Sequence, residues 1–290
     1  MWLRRHPRLY RNIRQFLRLR FGILGFMIVL IVIFTAIFAS QLAPHDPYKQ
    51  DISKRLLPPA WFEKGKPDHL LGTDMMGRDY LSRIIYGARI SLLVALLTVL
   101  TASAIGITIG VLGGYFGGVV DMVATTLINV RLAFPFILLA LVVIAVLGPS
   151  FWNLILCLGI TMWIRYAIVG RSLMMSLRER DFILSARCVG CNHLRIILSH
   201  LLPNIINSMI VIGTVELANA ILLESFMSFL GLGVQPPTPS WGGMLSEGRA
   251  YMLSRWWIAT FPGLAIFITA LGINLMGDGL RDLIDPFKTN

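Results

Sequence analysis

Residues 181–204, D-F-I-L-S-A-R-C-V-G-C-N-H-L-R-I-I-L-S-H-L-L-P-N, form a basic, amphipathic segment inside a chain otherwise composed for lipid. Its spacing predicts helix, glycine turn, helix. Asp181 is placed to cap the first helix, Gly190 to end it in a left-handed conformation, and Asn192 to cap the second. Leu194, Ile197, Leu198 and Leu201 fall at i, i+3, i+4 and i+7, one apolar stripe that calls for a complementary groove. Pro203 follows at the expected start of the next hydrophobic helix, where its missing N–H costs nothing. A partner seated on this handle would pass its movement directly into a membrane helix.

Outward from that handle the chain is greasy. Of 290 residues, 56% are hydrophobic and 14% charged, and mean hydropathy is +0.72. A soluble globule is excluded. Six stretches are long enough to cross a hydrocarbon core of about 30 Å: 21–42, 89–112, 121–147, 151–174, 203–229 and 258–280. The predicted fold is an all-α, polytopic helical bundle with six transmembrane helices. Seven arginines precede the first stretch, and no small-x-small cleavage site follows it, so it is expected to remain as an anchor. The basic residues 1–20 then lie in the cytoplasm. With six crossings the handle, which carries Arg178, Arg180, Arg187 and Arg195, and the tail 283–290 are cytoplasmic too. Residues 43–88 would lie outside despite Lys49, Lys54, Arg55, Lys64, Lys66, Arg78 and Arg83.

The formal charge of +11 raises nucleic acid as a partner, but the helix-turn-helix is tethered to spans at both ends, so none is expected. Cys188 and Cys191 form C-x-x-C without a second ligand pair, and no metal site is assigned. No G-x-x-x-x-G-K-[ST], H-E-x-x-H or G-x-S-x-G occurs, so neither an own P-loop nor a common hydrolase site is present. The chain is expected to be non-catalytic.

Between the spans, Trp61 and Phe62 are expected to anchor the outer segment at the membrane interface. L-G-T-D-M-M-G-R-D-Y-L-S-R-I-I-Y-G-A-R-I-S-L (71–92) sets Tyr80, Ile84 and Gly87 against Arg83 and Arg89, a pattern suited to lying on the membrane surface. G-G-Y-F-G-G-V-V-D (113–121) is a tight reversal. Pro135 should kink the third span. Intramembrane charge has a functional default: Arg131, Arg165, Glu216 and Glu224 qualify, with Glu216 the leading lone pathway residue beside Pro135 and Glu224. After the fifth span, F-L-G-L-G-V-Q-P-P-T-P-S-W-G-G-M-L (229–245) predicts a rigid outer loop or gate built on Gln235, Pro236 and Pro237, with Trp241 as its interfacial anchor. The sixth span exits through N-L-M-G-D-G-L-R-D-L-I-D-P (274–286).

In this order, five motifs (71–92, 114–121, 181–204, 231–245 and 274–286) resemble those of permease subunits of bacterial ABC importers of the dipeptide, oligopeptide and nickel type. The resemblance implies a type I importer permease fold in the bacterial inner membrane, with 89–282 as transport core, 21–42 as added anchor and 43–88 as external loop with an interfacial helix. It implies a second homologous permease forming a heterodimer, two ABC ATPase subunits that bind ATP and Mg, an extracytoplasmic solute-binding protein, and no cofactor on this chain. The cargo would be di- or oligopeptides, with nickel or metal-chelates and other small solutes as alternatives; an ion-coupled secondary transporter is the reading from another class. The handle, loop 175–202 with its flanks, then corresponds to the ATPase-coupling EAA loop. Asp181, Ser185, Ala186, Arg187, Gly190, Leu202 and Pro203 are its expected coupling residues, and Arg187 the favoured contact. Leu184 and Ser185 stand where relatives carry an acid and alanine. Thr126 and Asn129 stand where they often carry Arg and Asp, and Ser240 where Glu is common.

Overall fold

A computed structural model describes residues 20–284. The expected basic N-terminus, apart from Arg20, and the tail from residue 285 lie outside the described residues. Twelve helices occur among the described residues: α1 Arg20–Ile37, α2 Ala39–Leu42, α3 Tyr80–Phe116, α4 Gly118–Ala133, α5 Phe136–Leu147, α6 Phe151–Met162, α7 Ile164–Leu177, α8 Asp181–Cys188, α9 His193–Arg195, α10 Leu202–Phe229, α11 Trp241–Gly248 and α12 Trp257–Ile284. The only strand-like pairing among them is an isolated bridge, Thr73 to Asp79. Five helical rods are long and apolar enough to cross a membrane, or six if α4 and α5 count as one span. The all-α bundle is therefore as expected.

The third span is more sharply bent than a kink. α4 and α5 meet at 90°. Pro135 offers no N–H to continue the ladder, and its ring forces the preceding residue out of helical conformation. Phe134 accordingly takes φ −99°, ψ 128°. The freed carbonyls are answered by Arg131, whose guanidinium donates to Phe134 O at 3.1 Å and to Thr161 O, at the end of α6, at 3.0 Å. Arg131, unexplained by the sequence, is the cap of this break. Thr126 turns its hydroxyl back to Met122 O at 2.8 Å.

The described chain divides into two compact units, one of residues 20–96, 147–154 and 217–284, the other of 97–146 and 155–216. In the first, α1 packs along α12. Gly25 and Gly272 make that approach possible: a Cβ on Gly25 would stand 2.6 Å from Gly272 O and 2.7 Å from Leu275 Cβ. In the second, Gly106, Gly110 and Gly114, four apart on α3, lie against the backbone from Trp163 to Arg171. Such small-residue stripes let membrane helices gain dispersion contacts where lipid offers no hydrophobic drive.

The segment 43–79 is tied to itself by backbone bonds from Asp51 to Met76, Leu56 to Asp74, Thr73 to Leu57 and Ala60 to Leu70. Trp61 and Phe62 join an aromatic cluster with Trp256, Trp257 and Phe261, ring centroids 5.9–6.4 Å apart. Residues 80–88 do not form a separate surface helix. They are the first turns of α3, a 37-residue rod roughly 55 Å long. Arg83, expected to face the membrane surface, is buried with Tyr80, because acidic partners distant in sequence or loop position await it inside.

Replacing Gly25 with leucine should overpack the α1–α12 seam and cost about 1–3 kcal/mol. Thermal unfolding of the purified chain in detergent should show that loss, while Leu24→Ala, on the exposed face, should leave the transition in place.

Candidate functional site

Segment 181–204 folds as helix, turn, helix, with local corrections. The N-cap of α8 is Arg180, in extended conformation and without a side-chain cap bond, and Asp181 is the first helical residue. Its carboxylate still favours the positive end of the helix dipole. α8 closes in a Schellman turn: Cys191 N–H donates to Ala186 O at 3.0 Å and Gly190 N–H to Arg187 O at 2.9 Å. Gly190 has φ +83°, the left-handed value this motif needs. Asn192 caps α9, accepting from Leu194 N–H at 3.4 Å.

From His193 the helix runs without interruption to Phe229. A π-helical turn, Ile196–Leu201, joins α9 to α10, so Pro203 sits inside a continuous rod and not at a helix start. The wider turn accommodates a residue that cannot donate, and Asn204 Nδ2 donates to His200 O at 2.5 Å. The π turn also shifts the phase of the face. Ile196, Ile197 and Leu201 are buried, whereas Leu194 and Leu198 point outward. The predicted stripe of Leu194, Ile197, Leu198 and Leu201 is therefore split. With Phe182, Leu184 and Val189, all exposed, Leu194 and Leu198 make an outward apolar surface.

Arg187 is exposed, its guanidinium carbon 5.3 Å from the centroid of Tyr115. The Tyr115 hydroxyl lies 2.8 Å from His193 Nδ1, so the end of α3 holds both arms of the handle. Below it, Arg178 donates to Gly114 O at 3.1 Å, and Arg171 grips Asp121 with two parallel bonds, the second at 2.7 Å. Ser185 and Pro203 are exposed; Ala186 and Leu202 are half-buried.

The three expected pathway residues are divided between the two compact units. Pro135 and Glu216 belong to the second compact unit and Glu224 to the first. Glu216 is buried and is not lone: Arg165 Nη1 is 3.0 Å from its carboxylate. Glu224 is fully buried in a hydroxyl cage, with Ser228 at 2.8 Å, Ser91 at 3.2 Å and Ser225 at 3.3 Å, and Ser240 completes it. The Ser240 hydroxyl also accepts from Gly243 N–H at 3.1 Å as the N-cap of α11.

On the loop 230–240, Gln235 Nε2 bonds the carbonyls of Gly231 and Gly233 at 3.1 and 3.0 Å, and the Pro236–Pro237 bond is cis. Trp241 is no interfacial anchor. It is buried in the protein, where its indole N–H donates to Ile84 O of α3 at 3.0 Å. Beside it lies a cluster the sequence did not reveal. Arg78 bonds Asp74 at 2.6 Å and Glu247 at 2.7 Å; Arg83 bonds Asp74 at 2.5 Å and Glu247 at 2.6 and 3.1 Å. Two cations and two anions cancel with both arginines buried. Asp74, Arg78 and Arg83 stood in one quoted motif, but Glu247 is 164 residues from Arg83. A cleft of about 70 Å³ opens against the cluster, lined by Arg83, Glu247, Gln235, Thr238 and Ser246.

Long apolar rods, a helical handle continuous with one of them and charges neutralised in the interior define a polytopic membrane protein of the importer-permease class. The chain matches the family described as binding-protein-dependent transport system inner membrane component over residues 106–290, and the N-terminal TM domain of oligopeptide transport permease C over 9–59. It belongs to the first of these families and is a multi-pass protein of the cytoplasmic membrane. It is 44% identical over 267 residues to a dipeptide transport system permease protein of Haemophilus influenzae, covering 92% of this chain and 90% of that one. To a di/tripeptide permease of Pseudomonas aeruginosa it is 42% identical, covering 92% and 88%, and to a dipeptide permease of Escherichia coli 44%, covering 93% and 90%. A chain from the solved inward facing conformations of the MetNI methionine ABC transporter shares the fold, with TM-score 0.56, 16% identity and coverage of 70% of this chain and 97% of that one.

Glu247→Ala would leave Arg78 and Arg83 sharing one carboxylate. Breaking a buried pair in this way costs about 3–5 kcal/mol, so the detergent-solubilised variant should melt well below the parent, and Glu247→Gln should fall between them.

Proposed function

We propose that this chain is one of two transmembrane permease subunits of an ATP-driven importer of di- or oligopeptides. Its partners in this reading are a homologous permease, two ABC ATPase subunits that bind ATP and Mg, and an external solute-binding protein. What carries the reading is 42–44% identity, over about nine-tenths of each chain, to permeases named for dipeptide and di/tripeptide transport. Residues 89–282 serve as the transport core and 21–42 as an added anchor. Six crossings put both termini and the 181–204 handle in the cytoplasm and 43–88 outside.

In this reading the handle couples ATP to transport. Phe182, Leu184, Val189, Leu194 and Leu198 are the apolar surface that enters a groove of the ATPase, and Gly190 sets the angle between the two arms. Closure of the ATPases would displace the handle, and the rod from His193 to Phe229 would carry the displacement into the membrane as a rigid-body change. The chain itself positions and moves; hydrolysis belongs to its partners. Asp181, Ser185, Ala186, Arg187, Leu202 and Pro203 act as coupling residues by shaping this surface, Arg187 through its hold on Tyr115. Pro135, Glu216 and Glu224 act as pathway residues, and Gln235, Pro236 and Pro237 as the outer loop or gate on which the binding protein docks, with Trp241 holding that loop from its buried position.

A mild-detergent pull-down from native membranes should recover the second permease and the ATPases. Gly190→Val should cut peptide uptake at least about tenfold and remove substrate stimulation of ATP hydrolysis, because a β-branched residue is strained at φ +83° by about 1–3 kcal/mol. Unchanged uptake and stimulated hydrolysis in that variant would sink the coupling assignment. Cys188→Ser with Cys191→Ser should transport like the parent.

A further inference from the structure

The outer segment brings together three side chains that are scattered in sequence. His69 Nδ1 lies 2.9 Å and His45 Nδ1 3.7 Å from the same oxygen, Oδ1 of Asp79. The two imidazole centroids are 4.9 Å apart, and one ligand atom from each of the three residues falls within 4.8 Å of the others. Around a tetrahedral zinc ion, with bonds near 2.0–2.1 Å, neighbouring ligand atoms are separated by about 3.3 Å. The observed 2.9 and 3.7 Å bracket that value.

The carboxylate is divided between two tasks. Asp79 Oδ2 accepts from Ser82 N–H at 2.8 Å and Ser82 Oγ–H at 2.7 Å, which makes it the N-terminal cap of α3. Oδ1 is left facing the two rings. Ser82 Oγ in turn accepts from the backbone N–H of His45 at 3.0 Å, holding that residue beside the carboxylate as outer-shell partners of metal ligands do.

Charge is what the cluster lacks. The Asp79 side chain is 1% exposed, and the ion-pair partners it has among the described residues are the two histidines, which bear charge only when protonated. A buried anion without a compensating charge costs several kcal/mol. His69 is buried as well, and its Nε2 has no hydrogen-bond partner among the described residues, so Asp79 alone orients the ring. His45, by contrast, has 40% of its side chain exposed. It leaves an approach for an ion and room for water as a fourth ligand.

We propose that His45, His69 and Asp79 form a binding site for a divalent transition ion, zinc in particular. Two imidazoles and one carboxylate suit zinc, nickel or copper and not magnesium or calcium. The ion would replace the His69–Asp79 hydrogen bond with two metal–ligand bonds and supply the missing positive charge. It would clip the stretch after the first span, the loop before Gly72 and the cap of α3 into one unit. The ion in this reading is resident in the outer segment and independent of the transported solute and of the proposed coupling role.

The test uses the full-length chain purified in detergent in a Cys188→Ser, Cys191→Ser background, stripped with chelator and titrated with zinc alone. One equivalent should bind and raise the melting temperature. His45→Ala, at an exposed position, should melt like the stripped parent, lose the zinc-induced rise and bind at least about 100-fold more weakly, beyond the loss expected for a mere supporting partner. Asp79→Asn keeps a capping side chain but removes the anion, and should lose binding likewise. Failure to bind one equivalent, or undiminished affinity in His45→Ala, would overturn the site and leave a hydrogen-bonded cluster.

Discussion

A backbone carbonyl released from a helix inside lipid has no water to bond, and two interruptions among the described spans are built around that constraint. Where Pro135 breaks the third span, Arg131 bends its guanidinium onto Phe134 O and Thr161 O. Where the π turn carries Pro203 into the fifth span, the Asn204 amide bonds His200 O. In the handle, outside the spans, Gly190 lets the last carbonyls of α8 be met by following N–H groups as well. The positions of the bend, the handle and the rod behind it follow from these repairs.

Charge obeys the same rule. Arg78, Arg83, Asp74 and Glu247 neutralise one another at the head of α3, Glu216 takes Arg165, and Asp121 takes Arg171. Glu224 is answered by hydroxyls instead. The two kinds of solution differ in consequence. Mutual neutralisation fixes two elements at one distance, since removing either partner strands a charge, whereas a ring of serines holds a carboxylate without committing it to a cation. This four-charge cluster thus joins the 71–92 motif to α11 more firmly than the apolar contacts of Tyr80, Met244 and Trp257 around it would alone.

Close approach between helices completes the frame. Gly25 with Gly272, and Gly106, Gly110 and Gly114 along α3, bring backbones within reach of one another, and dispersion over those seams replaces the hydrophobic drive that lipid denies. The four-residue spacing on α3 is visible in the sequence and is a packing signal of the same standing as a heptad. α1 shows that a segment read as an added anchor is also a packed element, laid along α12.

What the sequence by itself determined is whatever depends on local chemistry and length: the all-helical membrane class, five of the six rods, the break at Pro135, the left-handed turn at Gly190 and the cap at Asn192. Each is set by a residue's own backbone preference or by the number of apolar residues needed to cross a bilayer. Tertiary structure alone decided which charges meet, since Glu247 reaches Arg83 from 164 residues away and His45, His69 and Asp79 share no spacing. It decided that Arg83 and Trp241 turn inward, where partners outcompete the interface. It decided the face of the handle as well, because one π turn rotates Leu194 and Leu198 away from Ile197 and Leu201, and a period of 3.6 residues carries no sign of that extra residue.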